Sequence, residues 1–155
     1  MKLPIFWLMT VFVCAGFGLS GCQQATSGGS GGGSSSGPIQ GTINSQNFTT
    51  VLAVATASKS VTNGYDIVLT GTATTPTVSF SVGPQPQTYT VTTFGVNGLS
   101  VMAYIGGFNF ISFDSGTVMI TKVDATAKQI TGQFSSVATT DKLSSLSGTF
   151  TATIQ

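Results

Sequence analysis

Apolar and polar residues alternate with a period of two along most of the chain after Pro38. The C-terminal stretch shows it best. Leu146, Gly148, Phe150, Ala152 and Ile154 fall on one face, and Ser147, Thr149, Thr151 and Thr153 on the other. A strand buried on one side and hydrated on the other has this pattern. Tyr65, Ile67 and Leu69 alternate in the same way with Asp66 and Thr70, and Val78, Phe80 and Val82 with Thr77, Ser79 and Ser81. Val118 and Ile120 do so with Thr117, Met119 and Thr121. Threonine suits these faces because its branched Cβ fits a pleated surface while its hydroxyl stays hydrated. Turn signals separate the runs at Asn63-Gly64, Gly83-Pro84, Asn97-Gly98, Gly106-Gly107, Ser115-Gly116 and 124–127. No segment carries a helical period. The pattern predicts about eight to ten short strands, near 39–44, 48–55, 65–72, 77–82, 88–93, 99–105, 108–113, 117–123, 129–138 and 146–154, some of them merging. The expected fold is all-β: an antiparallel β-sandwich or a small β-barrel.

One stretch departs from the alternation. Residues 101–105 (VMAYI) and 108–113 (FNFISF) are apolar on both faces. They predict a central hairpin covered on both sides. The alternative is that Tyr104, Phe108 or Phe110 lines a groove, where a sugar stacks on the rings or an apolar small molecule lies among them. Alternation also suits a transmembrane barrel, but the strands are short, clear aromatic girdles are missing and the chain ends in Ile154-Gln155 rather than an aromatic residue.

The N-terminus reads as an address. Met1-Lys2 gives a positive start, and Leu3 to Gly18 is an almost unbroken apolar run. That run fits a signal-peptide core and is short for a bilayer span of about 20 residues. Leu19-Ser20-Gly21-Cys22 follows. These four residues resemble the lipobox of bacterial lipoproteins. The resemblance implies a diacylglyceryl group on the Cys22 sulfur, cleavage between Gly21 and Cys22, and acylation of the new amine. Several acyl chains on one residue anchor stably where one chain is marginal. Cys14 leaves with the leader, so Cys22 is the one cysteine of the mature chain and no disulfide forms. Gln23, where an Asp would retain a lipoprotein of enteric bacteria in the inner membrane, favours the outer membrane by that analogy. The face of that membrane is left open.

Residues 23–37 (QQATSGGSGGGSSSG) hold no large apolar side chain. They predict a coil with a root-mean-square reach of about 20 Å, and roughly 50 Å at full stretch. The chain thus divides into a leader at 1–21, a lipidated Cys and Gly/Ser linker at 22–37, and a β-domain at 38–155.

Charge narrows the chemistry. The chain has five basic residues, four acidic ones and no histidine. All five bases are Lys and all four acids are Asp. A neutral domain has no electrostatic footprint for phosphate backbones, so nucleic acid is not an expected partner. Without histidine there is no Ser-His-Asp arrangement and no imidazole metal site. Asp114 and Asp124 stand beside turn signals, where Asp caps the local backbone. Asp141 sits in a polar loop, and Asp66 on a hydrated strand face. No pair is suggested by spacing for carboxylate catalysis. The Gly run at 28–33 is linker and cradles no phosphate. The expectation is a non-catalytic domain without cofactor or metal. Its partners would be the membrane, through the acyl chains on Cys22, and an envelope protein or glycan.

A further resemblance concerns the C-terminal third. The segments 115–124 (SGTVMITKVD), 129–134 (QITGQF) and 146–151 (LSGTFT) are similar to the C-terminal half of small uncharacterised lipoproteins of the Bacteroidetes. Those show a G-x-I-x-I-T-x-x-D strand, an I-S/T-G-x-F strand and a closing G-T-F strand. The resemblance implies an all-β envelope lipoprotein and carries no activity. Phe134 is followed here by Ser135-Ser136, where members of that group often continue an aromatic and polar alternation.

Overall fold

The structure is a computed structural model and describes residues 38–72, 76–106 and 108–155. The leader, Cys22, the linker and Gly107 lie outside the described residues. Ten strands form: β1 (Gln40–Ile43), β2 (Gln46–Ala57), β3 (Tyr65–Gly71), β4 (Thr77–Val82), β5 (Gln87–Thr90), β6 (Val101–Gly106), β7 (Asn109–Ser112), β8 (Ser115–Asp124), β9 (Gln129–Ala138) and β10 (Ser145–Ile154). They join in one sheet of order β5-β8-β9-β10-β1-β2-β3-β4-β6-β7, antiparallel apart from a direct β10–β2 contact at Thr153–Val54 and Ile154–Ala55. The fold is all-β, as expected from the alternation.

The sheet turns over on itself, and its inner face is the core. Phe80 of β4 meets Phe134 of β9 and Phe150 of β10, strands that are not its neighbours, with ring centroids 5.3 and 5.6 Å apart. Phe134 and Phe150 close the triangle at 6.1 Å. All three contacts are edge-on, the arrangement that the ring quadrupole favours. Around them lie the inward residues of nearly every strand, among them Ile39, Ile67, Leu69, Val78, Val101, Val118, Ile120, Ile130 and Leu146. The ring of Phe150 sits over Gly132, its partner across the β9–β10 ladder. A Cβ at Gly132 would stand 2.6 Å from that ring, so the glycine makes the space.

The sheet is not closed by a continuous ladder. Its edges are β5 and β7. Beyond β5 the chain is stitched to the approach of β6, with a bridge between Val91 and Leu99. There Thr92 N–H donates to Leu99 C=O at 3.1 Å, and Leu99 N–H to Thr90 C=O at 2.8 Å.

Three irregularities redirect side chains. In β2 the register shifts between Thr50 and Leu52, which leaves Val51 and Leu52 both exposed. In β9 the strand runs on past Phe134, and Ser136 takes a left-handed φ of 52°. This bulge restores Val137 to the core. Between β1 and β2, Asn44 and Ser45 have φ of 50° and 63°. A tight hairpin needs positive φ at both central residues, and Asn tolerates it well.

The hairpin at 101–113 is not central. β6 pairs with β4 on one side and β7 on the other, and β7 is an edge strand. Val101, Ala103 and Phe113 enter the core, while Tyr104, Phe108 and Phe110 are exposed. Two-faced apolar character here marks an uncovered outer surface.

Candidate functional site

The exposed rings of the β6–β7 edge form a cluster. Tyr104 and Phe110 are direct partners across the ladder, which puts them on one face by the pleat. Their ring centroids are 6.3 Å apart at 45°. Phe94, in the 3-10 turn Thr93–Gly95 before β6, packs on Phe110 at 6.3 Å and 76°. The turn is held to β7 by Phe94 N–H donating to Ser112 Oγ at 3.3 Å. Phe108 stands at the tip of the hairpin. Relative exposures are 102 % for Phe108, 65 % for Phe94, 49 % for Phe110 and 40 % for Tyr104. The three residues expected from the sequence thus share one region, and Tyr104 and Phe110 touch. They lie on the outer, uncovered side of the sheet.

Phe94 was not legible as a site residue, because 88–93 reads as a strand that ends before it. The signal available was the pair Gly95 and Asn97-Gly98 around it, which marks a turn. Its backbone adopts φ 53°, ψ 20°, a left-handed conformation that costs a bulky side chain about 1–2 kcal/mol. The exposed ring gains little burial in return. Replacing Phe94 by glycine is therefore expected to leave the domain as stable or to stabilise it by up to about 1 kcal/mol. Urea unfolding of the variant checks this; a loss above about 1 kcal/mol would make the residue a structural one.

A recess among the described residues lies elsewhere. Pro38, Thr50 to Ala53 and Thr149 to Thr151 line an open hollow of about 150 Å³ where β2 and β10 diverge around β1. Drug-sized ligands need about 300 Å³ or more. Thr50 Oγ1 is buried nearby without a hydrogen-bond partner.

The four aspartates serve their own loops. Ser58 and Ser81 each donate a hydroxyl to Asp66 Oδ1 at 2.6 Å. Asp114 accepts from the N–H and hydroxyl of Thr140 at 2.8 and 2.7 Å. Asp124 accepts from Ala127 N–H and pairs with Lys122, both at 2.8 Å. Asp141 accepts from the Thr139 hydroxyl at 2.6 Å and from Leu143 N–H at 2.9 Å. These bonds hold all four carboxyls below their ordinary value of 3.8. Asp114 and Asp141 meet around the 139–144 loop, where the charge of Asp114 works weakly against the lowering at Asp141. A general acid requires the opposite shift. Among the described residues no three His, Cys, Asp or Glu side chains gather as a metal site.

The chain matches no family model, no curated protein and no solved structure.

Proposed function

We propose that this protein is a lipid-anchored lipoprotein of the bacterial cell envelope, held at the outer membrane by acyl chains on Cys22. Its β-domain acts without catalysis and binds a partner through the aromatic edge formed by Phe94, Tyr104, Phe108 and Phe110. The observation that carries the binding role is Phe94. It combines a strained backbone with an exposed ring, and strain of this kind concentrates at functional sites. The surroundings agree, since no charged residue stands between Asp66 and Asp114 in the sequence. Such a surface suits an uncharged partner. The anchoring role rests on Leu19-Ser20-Gly21-Cys22 at the end of an apolar leader. A second reading, a module for a carbohydrate or apolar small ligand, uses the same rings.

The test compares wild type with Cys22→Ala, both made in a bacterium that processes lipoproteins. Wild type is expected to gain the mass of its acyl chains and to float with outer membranes. Cys22→Ala is expected to gain no such mass and to lose flotation. Equal mass and equal flotation in the two proteins would end the anchoring proposal.

A further inference from the structure

The aromatic edge and the point where the linker joins the sheet lie in one row of the fold. Thr50 N–H donates to Ile39 C=O at 2.8 Å. Thr50 then pairs with Gly71, Thr70 with Thr77, and Thr77 with Tyr104. This row leads from the first described residues of the domain to Tyr104, one ladder pair short of the tip of the β6–β7 hairpin. From β1 to β6 it crosses four strand spacings, about 19 Å along the curved sheet. Fifteen residues separate Cys22 from Pro38, and a Gly/Ser-rich coil of that length would span about 20 Å. A bilayer that holds Cys22 is therefore within reach of the hairpin tip.

The shape and chemistry of the tip favour lipid over sugar. The rings stand at 45° and 76° to one another, so they offer no flat platform for stacking a sugar. The 67–113 segment holds no charged residue, so entering the headgroup boundary strips no charge of its water there. Phe108 is fully exposed, and the space beside Gly106 at the same tip is open, with nothing within 4 Å of where a Cβ would stand. A neutral, projecting group of aromatic side chains suits the boundary between headgroups and acyl chains.

We propose that the β6–β7 hairpin rests in the surface of the same bilayer that holds the acyl chains of Cys22, with Phe108 deepest. This inference depends on the anchoring proposed above. The domain then lies against its membrane at two points, one covalent and one by contact.

The test uses the lipidated full-length protein with Phe108→Trp. The chain has a single tryptophan, Trp7, which departs with the leader, so Trp emission reports the tip alone. A control protein carries Thr126→Trp in the turn between β8 and β9, an exposed position at the other end of the strands. Both are reconstituted in phosphatidylcholine vesicles with brominated acyl chains, after intact mass has established acylation. The expected result is a shift of the Phe108→Trp emission to shorter wavelength and loss of the larger part of its intensity to bromine. The Thr126→Trp emission stays water-like. In an acylated protein, water-like Phe108→Trp emission that aqueous acrylamide quenches freely would overturn this inference alone. Shielding of the tip only on adding peptidoglycan fragments would overturn it in favour of a glycan. Absence of the acyl mass would overturn the anchoring and this inference together.

Discussion

Phe134→Ala is expected to destabilise the domain by about 4 kcal/mol, the cost of emptying a buried aromatic site that cannot fully collapse. Phe134 is 1 % exposed and touches the rings of both Phe80 and Phe150. Its loss also opens two edge-on contacts, each worth about 0.5–1.5 kcal/mol beyond burial. These three rings come from β4, β9 and β10 and hold the two halves of the curled sheet against each other. The effect should therefore exceed that of Phe113→Ala, which empties an equally buried aromatic site at the end of the 101–113 hairpin. Urea unfolding of the two alanine variants would measure the difference. A Phe134→Ala loss below about 1 kcal/mol would mean that the halves are held by their ladders rather than by the ring triangle.

Gly41→Ala is expected to be nearly as damaging, for a different reason. Gly41 lies in β1 between Leu146 of β10 and Phe48 of β2. An added Cβ would run into the Ser145 carbonyl oxygen and stand 3.1 Å from Leu146 Cα. Neither is the end of a flexible side chain, so the backbone of β10 must retreat. Overpacking costs about 1–3 kcal/mol when side chains can yield, and here the obstacle is main chain. The expected loss is at the top of that range, with faster hydrogen exchange at the β1–β10 ladder than at the β3–β4 ladder. Uniform exchange rates in the two ladders would show that the clash is absorbed without separating β1 from β10.

The strands were legible because their signal is local. Leu146 to Ile154 and Val78 to Val82 alternate without interruption, and one buried face per strand is enough to produce that. The bulges were harder. Val51 and Ser136 each insert a residue that flips the alternation, and a flip looks like a strand end when the partner strand is unknown. The 101–113 hairpin misled for a related reason. Apolar residues on both faces imply cover on both faces only if something lies outside, and sheet order is decided by pairings distant in sequence. The same distance hid Phe94. Its place in the aromatic cluster depends on the Ser112 hydroxyl 18 residues away, and its left-handed backbone has no signature in a Thr-Phe-Gly tripeptide. Tyr104, Phe108 and Phe110 could be singled out by ring type alone. Whether they were core or surface depended on β7 being an edge.

The position of β1 also sets a clock on folding. This strand has only β2 beside it until β10 arrives, and β10 is the last of the described strands. Asn44 N–H reaches Ser144 Oγ across 100 residues, and Ile154 and Ala55 meet from opposite ends of the domain. Contacts of such separation form slowly, because loop-closure entropy must be overcome before they can stabilise anything. As the chain leaves the ribosome, β1 and β2 make a hairpin with an open flank, and the core triangle lacks Phe150. The ring triangle of the core therefore closes only when β10 docks. Until β10 is in place, β1 keeps one flank unpaired, an open strand edge at which another chain can pair.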